Sequence, residues 1–129
     1  MQQPEPEVAA SEAIRHWSRL PELVEFAAGR HGFGDDDGGF GVTYPGDLDD
    51  YDRASGYHVP EGFVRVYGYW GPPDGYDVLV AEPVYLDALA ASLSAAGHAV
   101  EASRVRSLAA QQRQAALTDA PVRRGISLL

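Results

Sequence analysis

Seven aspartates crowd between residues 35 and 52, and their carboxylates are the first groups in this chain to test for chemistry. Asp35, Asp36 and Asp37 stand before Gly38-Gly39, and Asp47, Asp49, Asp50 and Asp52 follow. Calcium gathers about six to eight oxygens from acidic, glycine-containing loops of this kind. The EF-hand register fails here. Counted from Asp35 the fifth position is Gly39, counted from Asp47 it is Tyr51, and neither register has a glutamate at its twelfth position. The reading favoured is a solvated acidic loop without a metal.

Other catalytic arrangements are equally weak. His16, His31, His58 and His98 lack the i, i+4 spacing that sets two imidazoles on one side of a helix for zinc. Ser55 and the remaining serines lack a G-x-S-x-G elbow, although folding can assemble a triad from distant positions. The glycines around Phe33 and Phe40 do not form G-x-G-x-x-G, and a chain without lysine has no Walker loop. Nearby aspartates would repel phosphate. With nineteen acids a carboxylate pair can always be found on paper, so pairing carries no information. The expectation is therefore no catalytic residue, no metal and no cofactor.

A better candidate is the aromatic group Tyr57, Tyr67, Tyr69, Trp70 and Tyr76, which brackets a turn containing Pro72-Pro73 and Asp74. Tyrosine and tryptophan give large contact area at small entropic cost and are enriched in binding hot spots. These rings either cover a sheet against helices or face a partner. Bordered by Asp35, Asp36, Asp37, Asp47, Asp49, Asp50, Asp52 and Asp74, an exposed set would suit a basic protein, with charge guiding the approach and rings holding the complex.

The elements that must position these residues follow from periodicity. A chain of 129 residues supports one core. Over about 8–29 two short helices, or one kinked helix, are predicted, starting near Val8 or Ser11, with Ser11 as an N-cap, Pro21 opening the second helix and Gly29 ending it. Residues 32–56 read as a long loop in which only Phe40–Tyr44 looks like a strand. Phe63–Trp70 and Tyr76–Ala81 are rich in β-branched and aromatic residues and predict a β-hairpin, with Val64, Val66, Gly68 and Trp70 on its core face. Phe63, Arg65, Tyr67 and Tyr69 take the opposite face. Pro83 opens a helix carrying Leu86, Leu89 and Leu93, Gly97 ends it, and a second helix from about Ala99 to Leu117 completes an αα-hairpin. The stretches 1–7 and 118–129 read as tails. The whole predicts a single α+β domain with N-terminal helices, a small antiparallel sheet and a C-terminal helical hairpin.

Composition narrows the partner. Nineteen acids face ten arginines, a net charge of −9, so nucleic acid is an unfavourable partner. The charge is uneven: residues 1–90 carry 17 acids and 5 arginines, the rest 2 acids and 5 arginines. There is no cysteine, no bilayer-length apolar run and no signal-peptide pattern in Met1–Glu7, which predicts a soluble cytoplasmic protein without a membrane partner. The expected function is a non-catalytic inhibitor of the immunity or antitoxin type, bound to a basic toxin or enzyme. Two alternatives stand beside it: an adaptor presenting Arg104, Arg106 and Arg113 of the helical hairpin to an acidic partner, and a small hydrolase with a non-local active site.

Overall fold

The computed structural model describes residues 4–35, 39–56, 58–68 and 75–128, with Asp35 and residues 118–128 described by backbone alone. Its class is α+β, as the patterning predicts. The described residues form five α-helices and one four-stranded antiparallel sheet in the order β1-β2-β3-β4.

Helix α1 (Pro6–His16) starts earlier than the Ser11 cap predicts. Pro6 sits at its first turn, where a missing N–H costs nothing, so Ser11 falls inside the helix. Ala9, Ala10, Ala13 and Ile14 form its buried side. Helix α2 (Glu22–Ala28) ends on Gly29. The left-handed residue that closes it is Arg30, at φ 56°. The amide of His31 donates to the Phe26 carbonyl at 2.8 Å and that of Arg30 to the Ala27 carbonyl at 3.1 Å, a Schellman pattern.

The segment predicted to be mostly loop contains two strands and a helix. Strand β1 (Phe33–Asp35) pairs with β2 (Phe40–Thr43), a 3-10 turn occupies Pro45–Asp47, and α3 spans Asp50–Ala54. Two three- or four-residue strands are too short to show an alternating pattern, and pairing with β3 (Phe63–Gly68) stabilises β2 from its other side. Strand β4 (Tyr76–Ala81) pairs with β3 in the register Val64↔Val80 and Val66↔Val78, as the hairpin reading requires. The turn between them lies outside the described residues.

Period-two alternation then decides the two faces. Phe33, Phe40, Val42, Val64, Val66 and Val80 point to one side and are buried against α1 and α4 (Glu82–Ala95). Tyr85, Leu86, Leu89 and Leu93 of α4 meet them, and α4 also packs against α5 (Ala99–Leu128) through Ala102, Val105 and Ala109. Gly97, at φ 87°, makes the left-handed turn between the two helices, which an L side chain would strain. Where a tail was predicted after Leu117, α5 continues to Leu128. The alanine, glutamine and arginine preceding Pro121 are good helix formers, and the backbone stays helical through Pro121 and Gly125. Among the described residues, the other face of the sheet carries no helix layer like that of α1 and α4. No helix among the described residues is long and apolar enough to cross a membrane.

Candidate functional site

The face of the sheet opposite α1 and α4 is organised by one row of paired positions that runs across all four strands: Gly34, Gly41, Tyr67 and Asp77. The two glycines leave no Cβ on this face, and the Tyr67 ring lies across the space. A Cβ built on Gly34 would meet Tyr67 Oη at 2.9 Å, and one on Gly41 would run into the same hydroxyl and into Tyr67 Cζ at 2.6 Å. An aromatic ring laid over a cross-strand glycine replaces the packing that the glycine lacks. The hydroxyl end of the ring thereby lies against the sheet, and the residue remains half-exposed.

Beside it the chain builds an acidic wall, and its aspartates have defined local work. Asp47 Oδ2 accepts from the Tyr44 amide at 2.7 Å and from the Gly32 amide at 2.8 Å, tying the 3-10 turn to the start of β1. Its Oδ1 stands 3.6 Å from His31 Nδ1. Asp49 and Asp52 form a capping box: Asp49 Oδ1 accepts from the Asp52 amide at 2.8 Å and Asp52 Oδ2 from the Asp49 amide at 3.2 Å. Asp50 is fully exposed and pairs with Arg53 at 3.4 Å. Residues 47–53 thus hold four carboxylates and one guanidinium, that of Arg53.

Asp47, Asp52 and Tyr67 line one open groove of about 430 Å³, together with Gly32, Gly34, Thr43 and Leu48. Its floor is the tyrosine ring and glycine backbone, and its rim carries two carboxylates. Next to it Tyr51 projects from α3 with 78% of its surface exposed, flanked in sequence by Asp50 and Asp52. Sequence reading passed over Tyr51, although a lone aromatic inside D-D-Y-D has no apolar neighbour with which to share a core. Phe63 and Leu79 add two more exposed apolar side chains on the same face, and Arg65 pairs with Asp77 at 2.8 Å between them.

The remaining predicted site residues divide. Tyr76 sits on the helix side of the sheet, with its ring over Gly68, apart from Tyr67. Burial raises its hydroxyl pKa, and Glu12 of α1 adds to the shift. Asp36, Asp37, Tyr57, Tyr69, Trp70 and Asp74 lie outside the described residues, as does the Asp35 side chain. An aromatic cluster that sequence reading did not anticipate belongs to the core: Trp17 packs edge-on to Phe33 at 5.1 Å, Phe26 at 6.2 Å and Phe40 at 6.3 Å.

A second polar constellation is buried. Glu82, 1% exposed, receives Arg30 Nη2 at 3.0 Å and Arg30 Nε at 3.3 Å, and the same guanidinium reaches Glu61 at 2.9 Å. Desolvation raises the Glu82 pKa, and Arg30 opposes the rise. Tyr44 and Tyr85 stand nearby with their rings nearly perpendicular, and burial pushes both hydroxyls far above their ordinary range. The cluster joins the end of α2 to the β4–α4 junction. It does not line the groove beside Tyr67.

Two arginines of the helical hairpin, Arg104 and Arg113, are engaged within the chain. Arg104 pairs with Glu25 of α2, whose carboxyl it holds below the ordinary carboxylate range, and Arg113 pairs with Asp87 of α4. No cluster of three or more potential metal ligands occurs among the described residues. Comparison with protein-family models, with curated proteins and with solved structures finds no match for this chain.

Proposed function

We propose that this chain is a non-catalytic protein-binding module, an acidic inhibitor of the immunity or antitoxin type, that covers a basic toxin or enzyme with its open sheet face and α3. The observation that carries the reading is the convergence of Tyr67, Asp47 and Asp52 on one groove, with Tyr51, Phe63 and Leu79 exposed nearby. Exposed rings and aliphatic side chains supply contact area, and the surrounding carboxylates supply long-range attraction for a cationic surface. The adaptor alternative is less favoured, because Arg104 and Arg113 are already paired with Glu25 and Asp87.

Inhibitors are often encoded beside their targets, so the test is co-expression with the product of the neighbouring gene, followed by titration of the purified pair. A saturable complex that is weakened by Asp50→Lys with Tyr51→Ala, and indifferent to Arg104→Glu with Arg106→Glu, supports this reading. Loss of the complex only with the arginine reversals would transfer it to the helical hairpin.

A further inference from the structure

We infer that the groove over Tyr67 is a subsite for one arginine side chain of the partner, and that it discriminates arginine from lysine. The inference rests on the docking reading and names the chemistry at its centre. Three features of the groove lead to a guanidinium. Its lining includes one aromatic ring, that of Tyr67, whose hydroxyl end lies over Gly34 and Gly41 and which is half-exposed, and an aromatic ring attracts a planar cation. That lining also includes Asp47 and Asp52: Asp52, whose Oδ2 takes a single backbone amide, keeps acceptor capacity on both oxygens for the fork of a guanidinium, whereas Asp47, with two amides on Oδ2 and His31 Nδ1 at 3.6 Å from Oδ1, contributes charge alone. Its mouth is open, so an occupant keeps part of its contact with water.

That last feature separates the two basic side chains. An ammonium is a compact, strongly hydrated charge that gains little by stacking, whereas a guanidinium is weakly hydrated on its faces and loses little when one face meets a ring. The backbone amides of Gly32 and Tyr44 already occupy Asp47 Oδ2, and the Asp49 amide occupies Asp52 Oδ2. These bonds fix both carboxylates before any ligand arrives, which lowers the entropy lost on binding. Thr43 completes the lining with a hydroxyl that can donate or accept.

The test uses N-acetyl-arginine amide and N-acetyl-lysine amide against the isotopically labelled full chain, read at the Gly32 and Gly34 amides and the Tyr67 ring. The arginine probe should shift all three signals and bind roughly threefold or more tighter than the lysine probe. Asp52→Asn keeps an oxygen for the capping box, so it should leave the thermal midpoint in place while weakening the arginine probe roughly two- to fivefold. Tyr67→Leu should remove the arginine preference. Equal binding of the two probes, shifts confined to other residues, or indifference to Asp52→Asn would overturn the inference. Nona-arginine and nona-lysine peptides separate this failure from that of the docking reading. If both bind alike, the acidic face still docks cations without an arginine subsite; if neither binds, the docking reading falls together with the inference.

Discussion

Replacing Gly41 by alanine tests the geometry on which the site depends. The new methyl would meet the Tyr67 hydroxyl, Tyr67 Cζ at 2.6 Å and the Phe33 carbonyl oxygen at 2.8 Å, all inside van der Waals contact. The tyrosine can swing away, but the Phe33 carbonyl belongs to the β1–β2 ladder and cannot move without disturbing it. Overpacking of this kind costs about 1–3 kcal/mol. Alanine returns about 0.4–1 kcal/mol by restricting the unfolded chain. The net expectation is a loss of about 1–2 kcal/mol, which for a domain of this size lowers the melting midpoint by roughly 3–6 °C. Urea unfolding of the wild type, Gly41→Ala, Tyr67→Ala and the double variant closes a cycle. Because two of the three nearest atoms belong to Tyr67, Gly41→Ala should cost less in the Tyr67→Ala background, with a coupling of about 0.5 kcal/mol or more, the remainder being the contact with the Phe33 carbonyl. A stable Gly41→Ala with unmoved Tyr67 ring signals, or a cycle without coupling, would refute the placement of the ring over Gly41.

Two further outcomes follow from the polar contacts. Asp47→Ala removes the acceptor of two backbone amides and should destabilise by about 1–3 kcal/mol in urea unfolding, whereas Asp47→Asn, which retains one oxygen, should lose less. Glu82 has a folded-state pKa raised above its ordinary value near 4.5, so the native state holds this proton more tightly than the unfolded chain does. Its contribution to stability is complete below about pH 4.5 and is lost as pH rises through the folded-state pKa. Glu82→Gln removes that titration. Its urea midpoint relative to wild type should therefore improve between pH 4.5 and neutrality; a relative decline would mean that Arg30 outweighs desolvation.

Alternation and glycine punctuation are local properties, and they were enough to read the α+β class, the β3–β4 hairpin and the helices that Gly29 and Gly97 end. The amino-acid sequence also contained the Asp49–Asp52 capping box, which was read among the candidate metal ligands because a carboxylate in sequence does not reveal which amide it will meet. Strand β1 could not be read, since three residues acquire strand geometry only by pairing with β2. Arg30 gave no sign of replacing glycine in a left-handed turn, or of its ion pair with Glu82, 52 positions away along the chain. The site shows the same division. Periodicity put Tyr67 on the face opposite the valines, but only folding laid its ring over Gly41 and Gly34 and carried Asp47 and Asp52 to its edge. Side-chain direction along a strand repeats every two residues, whereas contact between strands depends on register, which the whole sheet fixes together.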